Sequence, residues 1–117
     1  MNKAMYALGR LKTGAMNKTE QAYAINLERL RQEGYIAWYK FEGVKLRLAD
    51  NTFYSPDFAV MTAEGRMQMH EVKGARAIFQ DDAKVKVKVA ADAYPFQFLV
   101  VYPIAKNKGG GWEIDEY

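Results

Sequence analysis

The residues of this chain best placed to do chemistry lie in two short segments, Tyr54-Ser55-Pro56-Asp57-Phe58 and Glu71-Val72-Lys73, the second followed by Gly74. Asp57 and Glu71 are 14 positions apart, on either side of a turn-like stretch at residues 62–65. On two antiparallel strands that spacing makes them neighbours. Residues i and i+2 of a strand share a face, so Glu71 and Lys73 point the same way, roughly 6.6 Å apart along the chain. Val72 points into the opposite, apolar layer. Two adjacent carboxylates repel each other, and burial raises the cost. A hard divalent cation removes that repulsion, and a few carboxylate oxygens with water and a phosphate are the ligands Mg²⁺ prefers. Such a metal activates water and polarises a phosphoryl oxygen. Lys73, on the same face, would orient the water or stabilise the charge that develops. The set matches the needs of metal-dependent phosphodiester hydrolysis.

Composition narrows the alternatives. The 117 residues contain no cysteine and one histidine, His70. Thiol nucleophiles, disulfide scaffolds, thiolate zinc sites and multi-histidine metal sites are therefore excluded. His70 is beside Glu71, yet its parity turns it toward the layer of Val72, which favours a structural role. No apolar run nears the roughly 20 residues of a membrane span, and the N-terminus lacks the apolar core of a signal peptide. The expectation is a cytoplasmic protein. Lys and Arg number 17 against 14 Asp and Glu, a net of +3. The excess is uneven: residues 1–47 carry nine basic residues against four acidic ones, a net of +5. A second basic cluster comprises Lys73, Arg76, Lys84, Lys86 and Lys88. Patchy positive charge suits a polyanion such as nucleic acid, although a solvated surface accounts for charge alone equally well.

Several elements must position these groups. Residues 17–33 read as a helix: Asn17 and Glu20 have capping-box spacing, Gly34 suits the position after the end, and Tyr23, Leu27 and Leu30 form an apolar face. Glu20 falls on that face, so it is either the cap or a group with work in the interior. Residues 35–42 form an aromatic strand, with Trp38, Tyr39 and Phe41 read as core or dimer surface. Val44, Leu46 and Leu48 alternate with Lys45 and Arg47, residues 53–61 continue as one strand, and residues 67–73 form another, in an antiparallel meander. Residues 81–93 fit either an edge strand or a helix; Ala83, Val87, Ala90, Ala91 and Tyr94 on one face and the alanine content select helix. Residues 96–102 read as a buried strand. The expected class is α/β, with a mixed central sheet flanked by helices. Residues 1–16 read as a basic flexible arm, residues 17–105 as the domain, and residues 106–117 as a glycine-rich joint with an acidic tail.

Pro-Asp, this linker, then Glu-x-Lys on paired strands resembles the PD-(D/E)XK nuclease superfamily. The resemblance spans about residues 17–103. Within it, the chain is similar to small phage- and prophage-encoded nucleases related to archaeal-type Holliday junction resolvases. The stretches that carry it are NKTEQAYAINLERLRQEG, YSPDF, HEVKGARAIFQDDAKVKVKVAADAYP and the apolar strand after them. The resemblance implies a restriction-endonuclease-like core in α-β-β-β-α-β order and a Mg²⁺-dependent DNA endonuclease, Mn²⁺ substituting, in a bacterial host cell. The catalytic residues would be Glu20, Asp57, Glu71 and Lys73. Asp57, Glu71 and the Val72 carbonyl would bind the metal, and Glu20 would be a further ligand or lie just behind them. Lys12, Lys18, Arg76, Lys84 and Lys88 would contact DNA. Water would attack phosphorus in line and the 3′ oxygen would leave. The implied substrate is branched DNA in phage recombination or replication, and paired cuts imply a symmetric homodimer. The alternative is a non-catalytic nucleic-acid-binding or phage accessory protein on the same fold.

Overall fold

The computed structural model describes residues 14–117. Lys12 and most of the basic arm lie outside them. The elements of the described residues are α1 (Lys18–Gln32), then β1 (Ile36–Phe41), β2 (Leu46–Ala49), β3 (Thr52–Tyr54), β4 (Phe58–Thr62) and β5 (Met67–Val72). After a 3₁₀ turn at Arg76–Ile78 come α2 (Asp82–Ala93), β6 (Gln97–Pro103) and β7 (Trp112–Glu116). Five strands form one mixed sheet in the order β1-β4-β5-β6-β7, while β2 and β3 form a separate two-stranded hairpin. Only the β5–β6 pair is parallel, and α2 makes the connection between them. The class is α/β, as the residue pattern predicts.

Two apolar layers flank the sheet. On one side α1 lays Tyr23 and Leu27 onto Ile36, Phe58, Val60, Val72 and Val101. On the other, α2 and the hairpin cover Ala59, Met69, Phe98, Val100 and Tyr102 with Val87, Ala90, Leu46 and Tyr54. The alternation of strand side chains generates both layers from the same strands. The expected α2 face is the observed one, with Val87 and Ala90 buried. On β1, Tyr39 and Phe41 pack against the α1 layer, whereas Trp38 stays 40% exposed.

Two sequence expectations need correction. Residues 53–61 are not one strand. The chain leaves the hairpin at Tyr54 and enters the main sheet at Phe58, and Pro56 is fully buried between them. Proline has no N–H for a ladder and holds the residue before it extended, so the strand must break there. The meander is therefore interrupted: β1 pairs with β4, and the hairpin folds over the face. The acidic C-terminal segment is likewise no appended tail. It is the fifth strand, antiparallel to β6, with Val101 opposite Ile114 and Pro103 opposite Trp112. Gly109, Gly110 and Gly111 all have positive φ, a backbone that other residues rarely adopt, and they turn the chain back onto the sheet.

Candidate active site

The register of β4 and β5 builds the site. Ala59 lies opposite Met69 and Phe58 opposite His70. Extending that ladder outward puts Asp57, just before β4, opposite Glu71, with both on the face that carries Ala59 and Met69. Asp57 Oδ2 accepts a hydrogen bond from the Val72 N–H at 2.8 Å. Its carbonyl accepts from the Glu42 N–H at 2.7 Å. Glu71 is buried at 7% exposure, the only buried acid among the described residues. Its Oε1 accepts from the Tyr54 hydroxyl at 2.6 Å, and its Oε2 lies 3.2 Å from Lys73 Nζ. Lys73 is held from behind by its own N–H, which donates to the Val101 carbonyl at 3.0 Å. Three residues from the sequence motif, Asp57, Glu71 and Lys73, thus converge at the end of the central strands.

Glu20 reaches the site by charge rather than by contact. The capping box forms in full: Glu20 N–H donates to Asn17 Oδ1 at 2.8 Å and Glu20 Oε1 accepts from the Asn17 N–H at 2.9 Å. The start of α1 nevertheless sits beside the motif. A Cβ placed on Gly74 would be 4.0 Å from Thr19 Oγ1. The negative charge of Glu20 acts on Asp57 across this gap.

Electrostatics at Asp57 are unusual. Its carboxyl is pushed up to about 8, first by burial, then by the charge of Glu71 and more weakly by that of Glu20. The Val72 N–H and Lys73 act in the opposite direction and do not compensate. With three carboxylates and one ammonium, the fully ionised group carries −2. Carboxylate oxygens are hard donors, and a divalent cation matches this deficit in sign and size. Asp57 and Glu71 fit the role of ligands. Among the described residues, no group of three or more acidic or histidine side chains is gathered for a metal. The side-chain donors in place are therefore the two carboxylates, and the remaining positions would be left for water and phosphate oxygens.

Two further groups, Tyr54 and Glu42, support the site. Tyr54 is buried, and its hydroxyl is held protonated by burial and by the Glu71 charge, so it donates to Glu71 rather than facing a ligand. Strand parity read along residues 53–61 turns Tyr54 away from Asp57, and the break at Pro56 brings it to Glu71 instead. Glu42, at positive φ, fixes the Asp57 main chain through its N–H, and its carboxylate accepts from the Gly14 N–H at 2.9 Å. Removing the hydroxyl in Tyr54→Phe leaves Glu71 Oε1 without its donor. Partners of this kind typically carry ten- to hundredfold in metal affinity. Calorimetric titration of Mn²⁺ into Tyr54→Phe is expected to show a loss of about tenfold.

The other candidates are dispersed. Arg76 pairs with β7 while staying half-exposed: its guanidinium meets Glu113, lies 2.8 Å from Asp115 and sits 4.7 Å over the Tyr102 ring. Lys84 and Lys88 are exposed on α2, and Lys18 is exposed in the first turn of α1. His70 lies in the α1 layer, where Nδ1 meets the Tyr23 hydroxyl at 2.7 Å and Nε2 meets Gln68 Oε1 at 2.8 Å. Burial pushes it down to about 4, so it is neutral near pH 7. No described helix is long and apolar enough to cross a membrane. No family model, curated protein or solved structure matches the chain significantly.

Proposed function

We propose that the protein is a Mg²⁺-dependent DNA endonuclease whose site is Asp57, Glu71 and Lys73, with Glu20 contributing charge from α1. The observation that carries this reading is the convergence of Asp57, Glu71 and Lys73 at the end of the central strands, where one ammonium does not balance two carboxylates. The order of elements agrees with it. Without the β2–β3 hairpin and β7, the chain runs helix, three strands, helix, strand, the order that the resemblance implies.

Asp57 and Glu71 would hold the metal, with the Val72 carbonyl as a further oxygen donor. The bound metal supplies Lewis acidity toward the phosphate and a lower pKa for its water. The chain's own residues do the rest. Val72 N–H and Tyr54 fix the two carboxylates in orientation. Lys73, 3.2 Å from Glu71 and one-quarter exposed, is free to swing its ammonium toward an attacking water or a phosphate oxygen. The net charge outside the three site acids is 17 basic against 11 acidic residues, or +6, which favours a polyanionic substrate. A branched substrate cut in pairs calls for two copies related by a two-fold axis. The outer strand β1, with Trp38 and the neighbouring Tyr35 exposed, offers an edge for that contact.

The test incubates wild type, Asp57→Ala and Lys73→Ala with four-way junction, flap and linear duplex DNA, in Mg²⁺ or EDTA. Wild type cuts only with Mg²⁺. Lys73→Ala loses about 10²–10³-fold, the usual cost of removing one charge-stabilising donor. Symmetric nicks in the junction support resolution of branched DNA. Cleavage that persists in Asp57→Ala removes the site assignment, and binding without cleavage under every metal supports the non-catalytic alternative.

A further inference from the structure

Resting on the nuclease reading, the β2–β3 hairpin narrows the substrate. We infer that its outward face, formed by Lys45, Arg47 and Phe53, is a stacking platform for unpaired nucleotides of the DNA strand entering the site.

The register defines the face. Leu46 lies opposite Tyr54 and Arg47 opposite Phe53. Leu46 and Tyr54 are the inward pair, each 7% exposed, in the layer shared with α2. Arg47 and Phe53 are consequently the outward pair, and Lys45 joins them two residues along. Phe53 is 40% exposed, and Lys45 Nζ lies 4.7 Å from its ring centroid. Arg47 makes only a long 3.7 Å pair with the exposed Asp50. A single exposed phenylalanine needs no explanation. An aromatic ring flanked by two cations, on a surface meant for a polyanion, has the composition of a single-strand binding groove.

Position and rigidity favour the same conclusion. Phe53 is four residues before Asp57, so the two Cα atoms are at most about 14 Å apart. A nucleotide stacked on Phe53 would thus lie only a few nucleotides from a phosphate at Asp57. The hairpin is fixed at its base: the Tyr94 hydroxyl donates to the Arg47 carbonyl at 2.6 Å, and Tyr54 is bonded to Glu71. At its tip, Ala49 and Thr52 share a shallow cavity with Val85, Lys86 and Val89 of α2. Asp82 and Lys86 both line that cavity, so the cations of the face are Lys45 and Arg47. A duplex keeps its bases stacked on each other and cannot use the ring. Flaps and single strands offer open faces.

The test measures anisotropy of labelled oligo(dT) and of a duplex of equal length in EDTA, with the full chain. Phe53→Ala is expected to weaken oligo(dT) binding about five- to 150-fold and to leave duplex affinity within about twofold. Phe53→Tyr retains the affinity and Phe53→Leu does not. Equal losses on both DNAs, no loss, wild-type affinity in Phe53→Leu, or no binding by wild type each overturn the platform. Cleavage in Mg²⁺ is scored separately. Wild type that cuts while Phe53→Ala binds normally removes the platform alone. Phe53-dependent binding without cleavage removes the nuclease reading and leaves the platform standing.

Discussion

Asp57→Asn is expected to abolish DNA cleavage, by about a thousandfold or more, while making the metal-free protein more stable above neutral pH. The two effects have one cause. Asp57 holds its proton up to about 8 in the fold, whereas an unfolded aspartate releases it near 4. Between those values the native state binds more protons, so stability falls as pH rises and the whole penalty is present above about 8. His70 has the opposite sign. Its folded value near 4 lies below its unfolded value near 6.5, so its contribution rises with pH through that window. The two slopes oppose each other from about pH 4 to 6.5, and Asp57 acts alone from 6.5 to 8. Urea unfolding of wild type in EDTA should therefore weaken between pH 6.5 and 8. Asp57→Asn should gain stability up to 6.5 and then stay level. A wild-type curve that strengthens from pH 6.5 to 8 would contradict this account.

Phe58→Ala is expected to cost about 3–5 kcal/mol, the largest stability loss of any change beside the site. Phe58 is fully buried and follows Asp57 directly. Its ring meets Tyr23 edge-on at 5.7 Å and lies 5.3 Å from Phe41 and 6.5 Å from Tyr39. It thereby joins α1, β1 and β4 at one point. Domains of this size have only about 5–15 kcal/mol in total. The loss would lower the melting temperature by on the order of 10–20 °C, read by urea and thermal unfolding. A cost below about 1 kcal/mol would mean that α1 is not anchored through this ring.

The sequence reveals the elements that rest on local patterns and hides those that rest on distant contacts. The helix at Lys18–Gln32 was legible from Asn17, Glu20 and Gly34, because a capping box and a left-handed residue after the end are local devices. α2 was legible from the spacing of Val87 and Ala90. Glu71 and Lys73 were legible because strand parity puts them on one face, and Asp57 because its spacing across the turn brings it beside Glu71. Pro56 marks the break before β4 in the sequence itself, but the departure of β3 from the main sheet was not legible, since its pairing with β2 and its place over the face rest on distant contacts. The role of the C-terminal residues was hidden too. Their acids look like a solvated tail until Arg76, 37 positions earlier, is found between Glu113 and Asp115. That long-range pairing ties the half-exposed Arg76 to β7.

The central claim is that Asp57 and Glu71 form a cation site whose acidic charge Lys73 alone does not balance. Calorimetric titration of Mn²⁺ into wild type, repeated in two buffers of different ionisation enthalpy, tests it most directly. The account predicts close to one proton released per metal bound at pH 7, falling toward none by pH 9, and no binding to Asp57→Asn. Equal binding by wild type and Asp57→Asn, or binding with no proton release at pH 7, would contradict it.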